Sequence, residues 1–84
     1  MQQLQSELAG RTIETTAGGG LVRVTADGRG TIRGVSIDPA AFEERDAELL
    51  ADLVLAAVAE AQRRAADLLQ AEMRKVQPFP FPSL

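Results

Sequence analysis

The 84-residue chain has no cysteine, no histidine, no tryptophan and no tyrosine. Without cysteine it can form no disulfide, and without cysteine or histidine it lacks the usual ligands of a structural zinc site. The same absences remove most catalytic nucleophiles and general bases. The three serines, Ser6, Ser36 and Ser83, have no partner base in the sequence. We therefore expect no enzyme activity, no cofactor and no metal. Large rings are scarce as well: Phe42, Phe79 and Phe81 are the only aromatics. The most apolar window, Leu49 to Ala59, is interrupted by Asp52 and falls short of the about 20 residues needed to span a bilayer. No N-terminal segment couples positive charge to an apolar run, so the expected location is the cytoplasm.

Positive charge is also in deficit. Nine Lys and Arg stand against twelve Asp and Glu, for a net charge of -3. Bulk attraction to nucleic acid is excluded, and any cationic surface must be local. A chain this short buries a modest core, and such domains are commonly supported by disulfides, metals or association. With the first two removed, association with a second copy is the expected support.

What is present reads as a single α+β domain over residues 1–84, in the order α-β-β-β-α. Met1 to Ala9 places Leu4 and Leu8 at i, i+4 and reads as a short helix, or the last turns of a longer one, stopped by Gly10; it is either a frayed terminus or an arm packed on the long helix. Thr12–Ala17, Leu21–Thr25 and Thr31–Ile37 read as strands of an antiparallel meander. Gly18-Gly19-Gly20 reverses the chain between the first two, and Asp27-Gly28 between the second and third. Ile32 is out of step with Val35 and Ile37, so a bulge near Gly34 is expected to bring all three to one face. Asp38-Pro39 ends the third strand, and Phe42, in the following connection, is expected to turn inward.

From Asp46 to about Lys75 the chain has neither Gly nor Pro and is dominated by Ala, Leu, Glu, Gln and Arg. These are strong helix formers, and one helix of this length runs roughly 45 Å. Asp46 suits the N-cap. An apolar stripe runs through Leu49, Leu50, Leu53, Val54, Ala57, Val58, Ala61, Leu68, Leu69, Met73 and Val76. Strands of this length cover only about 15–25 Å of it, so the distal half must project beyond the sheet. Between Leu53 and Ala59 the helix is apolar nearly all round. Leu53, Val54, Leu55, Ala57 and Val58 are therefore the expected dimer contacts. Arg63, Arg64, Arg74 and Lys75 lie on the distal half, with Glu60, Asp67 and Glu72 interspersed. Glu60–Arg64 and Arg63–Asp67 have the i, i+4 spacing of helix-stabilising pairs, and the basic residues are equally placed to meet phosphates. The tail after Gln77 alternates Pro and Phe, an extended pattern that excludes helix. Phe79 and Phe81 are either part of a loose terminus or groove-docking groups.

Gly18-Gly19-Gly20-Leu21-Val22, Val24 and Asp27-Gly28, followed by Val35, Ile37, Asp38 and Pro39, resemble the YbaB/EbfC family of bacterial nucleoid-associated proteins. Asp46, Glu48, Leu50, Asp52, Leu53, Ala56 and Ala57 continue the match. The resemblance implies a tweezer-like homodimer that binds double-stranded DNA in the nucleoid through helical arms, with broad sequence tolerance and no enzyme activity or cofactor. It makes the GGGLV and IDP segments scaffold. It places Arg63 and Arg64 at positions that are often basic in the family, with Arg74 and Lys75 following along the arm. The short N-terminal helix has no basic residue before Arg11, and the chain is acidic; both depart from the family pattern. They motivate a second reading, a protein-interaction module of the same fold that pairs with a homologue or another protein.

Overall fold

The computed structural model describes residues 2–76; the Pro/Phe tail with Phe79 and Phe81 lies outside the described residues. Its elements follow the expected order: α1 (Gln2–Ala9), β1 (Thr12–Ala17), β2 (Val22–Asp27), β3 (Ile32–Ile37), a 3-10 turn (Pro39–Glu44) and α2 (Ala47–Val76). The three strands form an antiparallel sheet in the order β1-β2-β3. β2 runs two residues further than its alternation alone suggested.

Gly18, Gly19 and Gly20 take φ of 66°, 70° and 100°, the left-handed region open to glycine at little cost. They close the β1–β2 reversal. The β2–β3 register slips where expected: Thr25 pairs with Gly34, but Ala26 pairs with Ile32, leaving Arg33 as the extra residue. This bulge sets Ile32, Val35 and Ile37 opposite Ala26, Val24 and Val22, and directly opposed residues of an antiparallel pair share a face.

That face carries the core. Val22, Val24, Ala26, Ala57 and Ala61 are buried together, flanked by Ile13, Ile32, Ile37, Leu50, Leu53 and others. Small side chains at Ala57, Ala61 and Ala65 let α2 lie close on the sheet. A buried polar group enters this contact: the Thr15 hydroxyl donates to the Ala57 carbonyl at 2.7 Å.

α2 starts as expected. The Leu49 N–H donates to Asp46 Oδ1 at 3.0 Å, so the side chain satisfies one of the first-turn donors. The helix then runs unbroken for 30 residues. Past the sheet its apolar face meets α1, whose Leu4 and Leu8 are buried. The end of α1 is tied to the β2–β3 turn by the Gly28 N–H, which donates to the Leu8 carbonyl at 2.8 Å.

Phe42 departs from expectation. It is 61% exposed, and Ala41 is the residue turned inward, at 6%. The cause is local. Asp38 caps the 3-10 turn through the Ala40 N–H at 2.8 Å, which sets the turn's rotation. In a three-residue helix, neighbouring side chains differ by about 120°, so only one of the pair can face the core.

Candidate nucleic-acid interface

The distal half of α2 presents its four basic side chains in two rows. Arg63 and Arg74 are eleven residues apart, as are Arg64 and Lys75. Eleven residues make three turns plus about 20° and rise about 16 Å. Each row thus repeats a cation along one line of the helix. All four residues are exposed.

The upper pair is organised by one carboxylate. Arg63 Nε donates to Glu60 Oε1 at 3.0 Å, and Arg63 Nη2 to Oε2 at 2.6 Å. This is the two-pronged guanidinium–carboxylate geometry of strong pairs. Arg64 Nε donates to the same Oε2 at 3.0 Å. The i, i+4 pair Glu60–Arg64 thus forms, and an i, i+3 pair joins it. Arg63 Nη1 also reaches Asp67 Oδ2 at 2.9 Å. Hydrogen bonds from Arg63 and then Arg64 hold the Glu60 carboxyl down at about 2. The hydrogen bond with Glu60 in turn pushes the Arg63 guanidinium up. Arg64 Nη1 lies 3.4 Å from the Glu14 carbonyl of β1, so this cation also covers an edge strand.

A second carboxylate organises the far end. Glu72 accepts from Lys75 Nζ at 3.0 Å and lies 3.5 Å from Arg11 Nη2. Arg74 makes no salt bridge among the described residues. Arg11, just before β1, adds a fifth cation beside the arm. The available signal was the reversal at Gly10, which lays α1 back along the distal helix and brings residue 11 beside residue 72. Arg29, on the β2–β3 turn, was likewise passed over. It lines an open cleft of about 450 Å³ with Gln5, Leu8, Gln62 and Leu69. Among the described residues, glycines and alanines complete that lining: Gly28, Gly30, Ala65 and Ala66.

A separate polar cluster fixes the turn above the arm. Asp27 is 3% exposed. Its Oδ1 accepts from the Arg29 and Thr31 N–H groups, and its Oδ2 from Arg33 Nε at 3.1 Å. Burial pushes this carboxyl up, but the two backbone donors and the guanidinium outweigh it, and the net shift is downward. The role is structural: the cluster locks the bulge and the turn on which α1 is seated.

The five expected dimer contacts separate. Ala57 is fully buried in the chain's own core, and Leu53, Val54 and Val58 pack half-buried against that core. Leu55 stands outward, 67% exposed. Val35, Phe42 and Leu49 are also exposed large apolar side chains.

The chain is thus a helix–meander–helix protein with a long helical arm that carries paired cations. The model of the YbaB/EbfC DNA-binding family matches residues 1–78, and the chain belongs to that family. A nucleoid-associated protein of Moorella thermoacetica is 49% identical over 74 residues, covering 88% of this chain and 71% of the relative. A nucleoid-associated protein of Gemmatimonas aurantiaca is 41% identical, covering 98% of this chain and 84% of its own length. Among solved structures, the uncharacterized protein HP0035 from Helicobacter pylori shares the fold. Its TM-score is 0.78 at 20% identity, over 89% of this chain and 87% of that one. No helix among the described residues is long and apolar enough to cross a membrane.

Proposed function

We propose that this protein is a nucleoid-associated, cytoplasmic DNA-binding homodimer that contacts the phosphates of double-stranded DNA through its helical arms. The observation that carries the reading is the double row Arg63/Arg74 and Arg64/Lys75 along the distal half of α2. Cations on a helix flank meet the phosphate backbone, which carries no sequence information directly; little sequence preference follows. Arg63, Arg64, Arg74 and Lys75 are the proposed DNA contacts. The dimer is supported by the exposed Leu55, Val35, Phe42 and Leu49 on a chain with no cysteine to brace its small core by a disulfide. Leu55 is the one exposed residue of the expected interface and so the one most open to a partner.

A salt-dependent titration with random-sequence duplex DNA tests the reading. Binding at low salt should weaken linearly in log–log form as salt rises, because bound cations release counterions. The double variant Arg63→Glu/Arg64→Glu should abolish it. Binding that ignores this charge reversal would remove the arm from the interface.

A second reading, a protein-interaction module of the same fold, is favoured by one observation. Arg63, Arg64 and Lys75 are each already paired with a carboxylate. Retention of a homologue or another protein, with no DNA bound at low salt, would select it.

A further inference from the structure

The Glu60 cluster has a geometry that helix stabilisation alone does not require. A single i, i+4 pair would serve that purpose. Here one carboxylate takes both Nε–H groups and one terminal N–H from two adjacent arginines. Those directional donors are the ones a guanidinium uses to grip a phosphate in two-pronged fashion. Asp67 takes a further N–H from Arg63. The formal charge of the four side chains is zero: Arg63 and Arg64 against Glu60 and Asp67. Yet this is the part of the arm nearest the sheet, where the proposed DNA contacts begin.

Resting on the DNA-binding reading above, we infer that Glu60 is an internal competitor for the phosphate site. In the free protein its carboxylate occupies Arg63 and Arg64 in place of a phosphate. DNA binding is then an exchange of partners, in which two guanidinium groups rotate from Glu60 to backbone oxygens. The exchange replaces one set of guanidinium hydrogen bonds by another, so the donors that Glu60 holds pass to phosphate oxygens. It also sets a ceiling on affinity, because Glu60 stays beside the bound phosphates as a like charge. Glu72 repeats the arrangement one arm-length further out, holding Lys75 and lying near Arg11. The acidic balance of the chain is thereby compatible with DNA binding: carboxylates set along the arm moderate its strength. They do not abolish it.

The test compares the wild-type protein with Glu60→Gln, Glu60→Ala, Asp52→Asn and Arg63→Ala/Arg64→Ala in titrations with a random-sequence duplex across a salt series. Glu60 is on a helix flank, and alanine is the best helix former, so at least one Glu60 variant folds. The expected result is that both Glu60 variants bind about fivefold more tightly at low salt, as removal of one adjacent like charge in a partly screened site predicts. The log–log salt slope should steepen by about one, because one more counterion is released. Asp52→Asn removes the same charge from the sheet-bound half of α2 and should leave affinity nearly unchanged. Equal or weaker binding by the Glu60 variants would overturn the inference, as would an equal gain from Asp52→Asn. Failure of the underlying reading looks different. In that case wild type binds no DNA at low salt, or the double arginine variant binds as wild type does.

Discussion

The Leu8 carbonyl accepts the Gly28 N–H at 2.8 Å, and a methyl group built on Gly28 would sit 2.6 Å from that same oxygen. The end of α1 and the β2–β3 turn therefore touch backbone to backbone. Gly28→Ala must push the two apart or break the bond. Leu68 Cδ2 also lies 3.1 Å from the same point, but it is the end of a side chain that can turn aside, so the clash with the Leu8 backbone dominates. The expected cost is about 1–3 kcal/mol, in the range of overpacking. A denaturant midpoint measured for Gly28→Ala checks it, and an unchanged midpoint would contradict the close approach.

Thr15 places a buried hydroxyl in the contact between sheet and long helix. Thr15→Val keeps the shape and removes the donor. The Ala57 carbonyl sits mid-helix and retains its backbone partner one turn on, so no buried acceptor is orphaned. A loss of about 1 kcal/mol is expected. Thr15→Ala adds a void and should cost more, which a comparison of the two melting curves reads directly.

Acid should weaken the fold through depressed carboxylates. Glu60 ionises at about 2 in the folded chain against 4.5 ordinarily. Asp27 is lowered from 3.8. For a lowered carboxyl the unfolded chain binds more protons, so stability rises with pH. The contribution is fully present above the ordinary value and is lost as pH falls through the folded one. The window for Glu60 is pH 4.5 down to about 2. Thermal midpoints of wild type should fall across it. Those of Glu60→Gln should fall less steeply, and added salt should shrink the difference because the pair is solvent-exposed.

Leu55→Glu and Val35→Asp address association. Both side chains are exposed in the single chain, so neither change opens its core. Sedimentation at micromolar concentration should show the wild type as a dimer and the variants shifted toward monomer, with helical content retained. A wild type that sediments as a monomer would end the dimer proposal.

Much of this architecture was legible in residue order. The glycine triplet, the Asp27-Gly28 turn and the phase slip at Ile32 each report a backbone demand that few residues meet. They located the strands, the reversals and the bulge. Asp46 and the absence of Gly and Pro placed the long helix almost to the residue. The failures are contacts made across distance. Ala41 and Phe42 are neighbours of similar apolarity, and only the rotation set by the Asp38 cap decides which one is buried. Ala57 was read both as part of the helix's apolar stripe and as a dimer contact; it lies buried in the chain's own core, where its small size lets the sheet approach. Glu60 looked like one half of an i, i+4 pair, and its second arginine follows from side-chain conformation. Arg11 meets Glu72 only once α1 is folded back.

The unbroken course of α2 couples the two ends of the molecule. From its capped start at Asp46 to Val76 it has no glycine, no proline and no interruption, so core and arm are one rigid lever without a hinge. The compass bearing of the cation rows is therefore phased to the sheet: each residue fixes it by about 100°. A single alanine inserted after Ala61 would leave every charge in place along the chain. It would swing the whole arm a quarter-turn and more, away from wherever the sheet now aims it. Four such insertions nearly restore the bearing while lengthening the lever by about 6 Å. Aim and reach, usually confounded, are separable in this protein by counting residues.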